Sequence, residues 1–170
     1  MRHLFLLILI MTAYKGKAQS HDSAHCSKFI KIVTDKVTGS TNTSLSKAII
    51  LKKPTDSKKL IIDVLKLGKG EILLNMVISG VSGCVDEASG INILFRDGSR
   101  MTLINEFEYN CRGWSWVYFG GKHGKETEAI KLSENEIEII RVWTEQSFVE
   151  QTLNTSQSKS LQQGIKCLLN

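Results

Sequence analysis

Four cysteines, Cys26, Cys84, Cys111 and Cys167, are the side chains with the clearest capacity for chemistry in this 170-residue sequence. No two of them have the spacing of a CxxC pair, so a structural zinc site is not expected. An even number of cysteines in an oxidising compartment favours two disulfides, and four cysteines allow three pairings. We therefore predict that the cysteines form cross-links, provided that the protein is exported.

The first 18 residues have the order of a secretory signal peptide. Arg2 gives a positive start, residues 4–11 form an unbroken apolar run, and Gly16 and Ala18 are small residues at the positions expected before a cut. The apolar run is far shorter than the roughly 20 residues that cross a bilayer. We predict cleavage after Ala18, no transmembrane segment, and a secreted location or one in the periplasm or cell envelope.

Cleavage there would leave Gln19-Ser20-His21 at the N-terminus. A free amine, two backbone amides and a histidine at the third position form a square-planar nitrogen set that suits Cu(II) or Ni(II). An N-terminal glutamine readily cyclises, however, and cyclisation removes the amine. His21 is thus an alternative metal-ligand candidate, and the simpler interpretation is a flexible arm at residues 19–27 that binds no metal.

His123 lies in a glycine-rich segment, residues 120–124, with Glu126 close by in the sequence. A small hydrolase-type site around His123 is therefore one hypothesis. No serine or free cysteine can be placed beside this histidine from the sequence, and a surface-loop histidine is the simpler interpretation. We expect binding rather than enzymatic activity, with no catalytic residue and no cofactor.

Trp114, Trp116 and Tyr118 alternate along the aromatic segment 114–119, so they share one face if this segment is a strand. An exposed stripe of rings could stack on sugars or contact the apolar surface of a protein partner. The alternative is that the rings fill the core beneath a C-terminal helix. These three residues are the candidate ligand-binding site.

Part of the net charge of +5 comes from the predicted signal peptide. Residues 1–18 contain Arg2, Lys15, Lys17 and no acid, so residues 19–170 carry 19 basic and 17 acidic side chains. The remaining charge of +2 is weak evidence for nucleic acid, and no such partner is predicted. The excess of lysine lies in residues 19–80. These lysines could form a basic face for an anionic partner, or they could belong to an ordinary solvated surface.

The pairing of the cysteines can be argued from a hairpin at residues 91–104, where two apolar runs flank residues 96–99. A three-residue turn with Gly98 in a left-handed bulge puts the apolar side chains on one face, whereas a two-residue turn mixes the faces. In the favoured register, the residue numbers of any two paired positions add up to 194. The numbers 84 and 111 add up to 195, so these two cysteines would lie nearly opposite each other if the ladder were extended. The extended ladder thus favours Cys84–Cys111, which leaves Cys26–Cys167 as the second bridge.

The remaining apolar segments complete the predicted sheet. A helix is predicted near residues 126–131 and another at the C-terminus, capped by Thr155 or Ser156, with Leu161, Ile165 and Leu168 on one face. Strands 60–67 and 71–79 are apolar at nearly every position, as expected of central strands covered on both faces. Residues 38–46 are predicted to be a connection. The other predicted strands are 28–37, 47–51, 114–119, 137–144 and 148–150.

Several segments resemble a group of small exported proteins of Bacteroidetes bacteria. They are residues 95–100, 109–111, 118–121, 140–144 and 147–150, followed by a helix that ends in Cys167-Leu168. The resemblance spans roughly residues 35–170 and implies an exported protein of a single domain. The group has no assigned activity, so it implies no site residues.

Together these features predict an α+β fold in residues 19–170: mainly antiparallel sheet built from hairpins, with a C-terminal helix packed on it and two disulfides. The expected function is a non-enzymatic binding or structural role at the cell envelope or outside the cell, with a protein or glycan as the partner. A hydrolase around His123 and copper or nickel binding through His21 are the alternatives.

Overall fold

The computed structural model describes residues 24–52, 57–68 and 70–170. The predicted signal peptide, its cleavage site and His21 lie outside these residues. The strands are β1 Ile30–Thr34, β2 Thr41–Leu45, β3 Ile49–Lys52, β4 Lys59–Gly68, β5 Glu71–Ser79, β6 Gly90–Phe95, β7 Arg100–Ile104, β8 Trp114–Phe119, β9 Ile137–Trp143 and β10 Phe148–Thr152. The helices are α1 Glu126–Glu134 and α2 Thr155–Leu169, with a 3-10 turn at Gly121–His123.

The strands form two antiparallel sheets. The large sheet has the order β1-β2-β4-β5-β8 with β3 beside β4, and the small sheet has the order β10-β9-β6-β7. One hydrophobic core joins the inner faces of both sheets to the apolar sides of α1 and α2. The predicted fold, antiparallel sheet with a C-terminal helix packed on it, is confirmed. Among the described residues no helix has the length and apolar character needed to cross a membrane.

The C-terminal helix buries its predicted face, because Leu161, Ile165 and Leu168 are each 1% exposed or less. The predicted cap, Thr155 or Ser156, was wrong by one or two residues. Asn154 is the N-cap, and its side chain accepts a hydrogen bond from the Gln157 N–H while the Gln157 side chain accepts one from Asn154 N–H. This reciprocal box satisfies two backbone donors, and it uses the side-chain oxygen of a Glu or Gln three residues after the cap.

The predicted connection between the first two strands was wrong, because residues 41–45 are strand β2. It pairs with β1 through a tight turn in which Asp35 N–H donates to Ser40 O and Gly39 N–H donates to Asp35 O, both at 2.8 Å. Much of this hairpin is exposed on both faces. The sequence of β2, TNTSL, therefore lacks the apolar alternation on which a strand prediction depends.

The central strands β4 and β5 are buried mainly on one face, with Leu73 as the buried residue of the outer face, so the predicted cover on both faces was wrong for most positions. Leu60, Ile62 and Val64 are fully buried, whereas the alternate residues of β4 are half-buried on the outer surface. Most outer positions are apolar as well, with Asp63 and Asn75 among the exceptions, which is why the sequence is hydrophobic at nearly every position. The outer face of the large sheet is therefore a candidate surface for contact with another molecule.

The hairpin of β6 and β7 and both predicted disulfides are confirmed. Leu94 pairs with Arg100, Gly90 pairs with Ile104, and Gly98 has a left-handed φ of 83°. The ladder continues outward to a bridge between Val85 and Asn110. Beside this bridge lies Cys84–Cys111, with Cα atoms 4.2 Å apart, and the Cα atoms of Cys26–Cys167 are 5.5 Å apart.

Candidate functional site

Strand β8 divides its side chains between the core and the outer surface. Ser115, Val117 and Phe119 are fully buried on the inner face. Trp114, Trp116 and Tyr118 are half-buried on the opposite face. The three predicted residues therefore form one stripe, as their alternation indicated, and the stripe lies outside the core instead of beneath α2.

The stripe borders a larger surface, because residues that pair across an antiparallel sheet point to the same side. Trp116 pairs with Asn75 of β5, and Asn75 pairs with Asp63 of β4. The neighbouring rows of this surface are apolar. We call it the aromatic face, and it consists of Tyr118, Leu73 and Leu65 in one row, Trp116, Asn75 and Asp63 in the next, and Trp114, Val77, Ile61 and Ile50 in the third.

The rings of the aromatic face are packed at steep angles to each other. Phe107, from the loop before β8, lies with its ring centroid 4.2 Å from that of Trp116 and at 45° to it. The rings of Trp116 and Tyr118 are 6.3 Å apart and nearly perpendicular, at 86°. Such edge-to-face and tilted contacts hold the side chains in fixed positions. The stripe is thus a firm, uneven surface and not a flat platform.

The free edge of β8 is closed by side-chain amides and carboxylates. The N–H groups of Trp116 and Trp114 donate to Oδ1 of Asn105 and of Asn110, at 2.8 and 2.9 Å. Tyr118 N–H donates to Oε1 of Glu106 at 3.0 Å. An edge strand with satisfied donors does not recruit another strand. A ligand of this region therefore meets the side chains of the face.

Asp63 is the functional candidate that sequence reasoning missed. It lies half-buried in the middle row of the aromatic face, where its Oδ1 accepts a hydrogen bond of 2.8 Å from Val64 N–H. Burial raises the pKa of the Asp63 carboxyl, while the Val64 N–H and the positive charge of Lys31 act in the opposite direction. Among the described residues no cation forms a salt bridge with it. The only sequence signal is one acid within the apolar run LIIDVLKL.

His123 joins the aromatic stripe instead of a catalytic group. Its ring stacks on Tyr118, with centroids 4.7 Å apart and planes at 15°. Within the part of the chain that the structure describes, no side-chain hydrogen bond orients His123, and no three His, Cys, Asp or Glu side chains are grouped closely enough to hold a metal ion. The described residues around His123 thus supply no second group that would orient this ring as a general base.

The aromatic face thus unites the three predicted residues with Asp63 and with aliphatic side chains from β4 and β5. Comparison of the chain with known proteins found no matching family model, no matching curated protein and no matching solved structure. The chemistry of the face is therefore read from its own residues.

Proposed function

We propose that this chain is an exported, disulfide-stabilised binding protein whose aromatic face binds another protein. The observation that carries the proposal is Asp63, a half-buried carboxyl without an ion pair among the described residues, set in a mostly apolar surface. A charge removed from water without a partner lowers the stability of the fold. Such a cost is typical of functional sites, where another molecule supplies the missing interaction.

The geometry of the rings favours a protein over a glycan. Stacking on sugars uses one exposed ring face, and a run of sugars needs rings that lie in one plane. Here Trp116 and Tyr118 are nearly perpendicular, and Phe107 lies against Trp116. Aliphatic side chains such as Leu65 and Val77 extend the surface over two further strands. Aromatic and aliphatic side chains around a few polar groups are typical of protein–protein interfaces.

The charges of the face indicate what the partner presents to it. The middle row is acidic at its β4 end, Asp63, and the margin is basic at Lys31 of β1 and at Arg112, whose guanidinium carbon is 5.6 Å from the Trp114 ring. A lysine or arginine of the partner would pair with Asp63 when the surrounding apolar side chains exclude water. The apolar contacts would supply most of the binding free energy, and the ion pair would select the partner.

Export is supported by the composition of the leader and by the two disulfides, which persist outside the reducing cytoplasm. Mass spectrometry of protein purified from its native host tests this part of the proposal. We expect a mature N-terminus at Gln19 and no free thiol. An intact leader together with four free thiols would contradict export.

Binding is tested with wild-type protein and two variants, Trp116→Ala and Asp63→Lys, used as bait on the envelope fraction of the native host. A protein retained by the wild type is then purified, and its Kd is measured by calorimetry. We expect Trp116→Ala to weaken binding at least about 30-fold, because a tryptophan within an interface is a typical hot spot. Asp63→Lys should abolish binding by placing like charges in contact.

Trp143→Ala is the matched control, because Trp143 is a partly exposed tryptophan of the small sheet. It should bind the partner as the wild type does, and thermal unfolding checks that all variants are folded. Equal affinity for the wild type and both aromatic-face variants would exclude this surface as the binding site. A soluble oligosaccharide that competes through Trp116 would instead identify a glycan-binding protein.

A further inference from the structure

The outer face of the small sheet carries a second, separate arrangement of side chains. The cross-strand pairing of β7, β6, β9 and β10 places Arg100 beside Leu94 and Leu94 beside Ile139. The next row is polar throughout: Thr102, Asn92, Arg141 and Glu150. Both rows line one open cleft with a volume of about 350 Å³. This volume is at the lower end of the range of roughly 300–1,000 Å³ that small-molecule sites occupy.

One wall of the cleft is rigid because its charges are already paired. Arg141 donates from both Nε and Nη2 to the same oxygen of Glu150, Oε2, with the Nε contact at 2.8 Å. The Arg141 guanidinium also lies 4.6 Å from the centroid of the Phe148 ring. These contacts leave Oε1 of Glu150 as an acceptor without a hydrogen-bond donor among the described residues.

The opposite wall holds an unpaired cation. The Arg100 guanidinium makes no hydrogen bond or ion pair with any residue that the structure describes. Lys131 adds positive charge close by, since its Nζ donates to the backbone oxygen of Arg100 at 3.1 Å. The apolar floor, Leu94 and Ile139, lies between this free donor and the free acceptor of Glu150.

We propose that this cleft binds a small organic carboxylate that carries hydrogen-bond donors at its other end. The Arg100 guanidinium would hold the carboxylate through two parallel hydrogen bonds, the geometry that this side chain prefers. Oε1 of Glu150 would accept a hydroxyl or ammonium group, and Leu94 and Ile139 would contact the carbon skeleton. One free guanidinium suits a single negative charge better than a phosphate dianion. The inference does not depend on the aromatic face.

Trp143 provides a spectroscopic reporter for this cleft. Its indole N–H donates to Oδ1 of Asn92 at 2.7 Å, and Asn92 lines the cleft. Asn92 also donates to the hydroxyl oxygen of Thr102 at 3.1 Å. A ligand that bonds to this polar row changes the hydrogen bond of the indole, so the Trp143 N–H resonance should move on binding.

The experiment titrates the 15N-labelled protein with D-glucuronate, dialanine and D-glucose, and follows the indole resonances. We expect a saturable shift of the Trp143 signal with glucuronate or dialanine and none with glucose. Arg100→Gln should raise the Kd at least about tenfold, as expected for the loss of a charge-assisted hydrogen bond. Arg112→Gln, an arginine beside the aromatic face, is the matched control and should leave the Kd unchanged.

Glu150→Gln distinguishes the two sources of the carboxylate. It should weaken dialanine, whose ammonium needs the charge, more than glucuronate, whose hydroxyl groups do not. The proposal is overturned if neither carboxylate moves the Trp143 resonance, if glucose moves it equally, or if Arg100→Gln binds as tightly as the wild type. Trp116→Ala should bind the carboxylate normally, so failure here and failure of the proposed partner binding are separable.

Discussion

On the large sheet the outward positions of β4, β5 and β8 are mostly apolar, whereas on the small sheet the outward positions include Arg100, Arg141 and Glu150. The two faces also treat charge differently. Asp63 stands in apolar surroundings without an ion pair among the described residues, while Arg141 and Glu150 neutralise each other. An isolated charge costs stability and selects an opposite charge, whereas a pair mainly orients its members. This difference favours a macromolecular partner on one face and a small ligand on the other.

The supports beneath the two faces differ as well. The aromatic face depends on a loop, residues 105–113, whose Asn105 and Glu106 close the edge of β8 and whose Phe107 packs on Trp116. This loop is anchored by the Cys84–Cys111 bridge. The small-sheet cleft instead rests on pairs between neighbouring strands, such as Arg141 with Glu150. Changes to the loop should therefore alter the aromatic face and leave the small-sheet cleft intact.

The largest expected effects come from removing the disulfides. In the chain-entropy model, the double variant Cys26→Ser/Cys167→Ser loses about 5 kcal/mol and Cys84→Ser/Cys111→Ser about 3.5 kcal/mol, because the closed segments differ in length, at 141 and 27 residues of separation. Urea unfolding measures both losses. Only the Cys84–Cys111 variant should change the near-UV circular dichroism of the stripe. An unchanged near-UV spectrum in that variant would show that the loop at residues 105–113 does not depend on the Cys84–Cys111 bridge.

Asn105→Ala is expected to cost about 2–3 kcal/mol, because the fully buried amide serves several partners. Its Oδ1 accepts from Trp116 N–H and Phe107 N–H, and its Nδ2 donates to Phe107 O. Asn92→Ala on the small sheet is the matched control and should cost less than about 1 kcal/mol, because Asn92 lies at the surface. Urea unfolding compares the two variants. Equal losses would contradict the distinction between a loop-supported and a strand-supported face.

Glu150→Gln is expected to lower stability by only about 0.5 kcal/mol, since both side chains of its pair with Arg141 are more than a third exposed, at 34% and 38%. High salt should reduce this loss, because screening weakens an exposed pair. Urea titrations at low and high salt measure the effect. Glu108→Gln, an exposed acid without an ion pair among the described residues, is the control. A salt-independent loss would mean that Glu150 acts through packing instead of charge.

The fold was largely predictable because most strands carry a strong apolar period. In residues 91–104 strict alternation and Gly98 allowed one register only, and that register also gave the Cys84–Cys111 pairing. Strand β2 was missed because four of its five side chains are polar, with only Leu45 apolar and buried. The helix cap was missed although Asn154 followed by Gln157 has the spacing of a capping box, because Thr155 and Ser156 are also favoured N-cap residues.

The candidate sites were only partly predictable. Alternation identified Trp114, Trp116 and Tyr118, because they belong to one strand. Asp63 became a candidate only when the pairing of β4 with β5 and of β5 with β8 placed it, with Asn75 and Trp116, between two mostly apolar rows. The small-sheet cleft takes residues from two hairpins that are distant in sequence, so no local pattern indicates it.

An equally small effect, and the most direct test of the isolated charge, is expected in the pH dependence of Asp63→Asn. Because burial raises the pKa of Asp63 in the folded state above its ordinary value of 3.8, the folded protein holds this proton more tightly than the unfolded chain. Wild-type stability therefore falls as pH rises through the range between the unfolded and folded pKa values, and the loss persists at neutral pH. The asparagine variant should be more stable at pH 7, by about 0.5 kcal/mol after allowance for solvent screening.

Asp97, in the turn between β6 and β7, is the matched control with the opposite sign. The side chain and backbone N–H of Ser99 hold the pKa of Asp97 below its ordinary value, with the N–H donating at 2.8 Å. Its stabilising contribution is present above the unfolded pKa and is lost as pH falls, so Asp97→Asn should destabilise the protein at pH 7. Urea unfolding between pH 3 and pH 7 compares both variants. If Asp63→Asn were destabilising at pH 7, the carboxylate would be satisfied within the chain, and the aromatic face would have no unpaired charge to offer a partner.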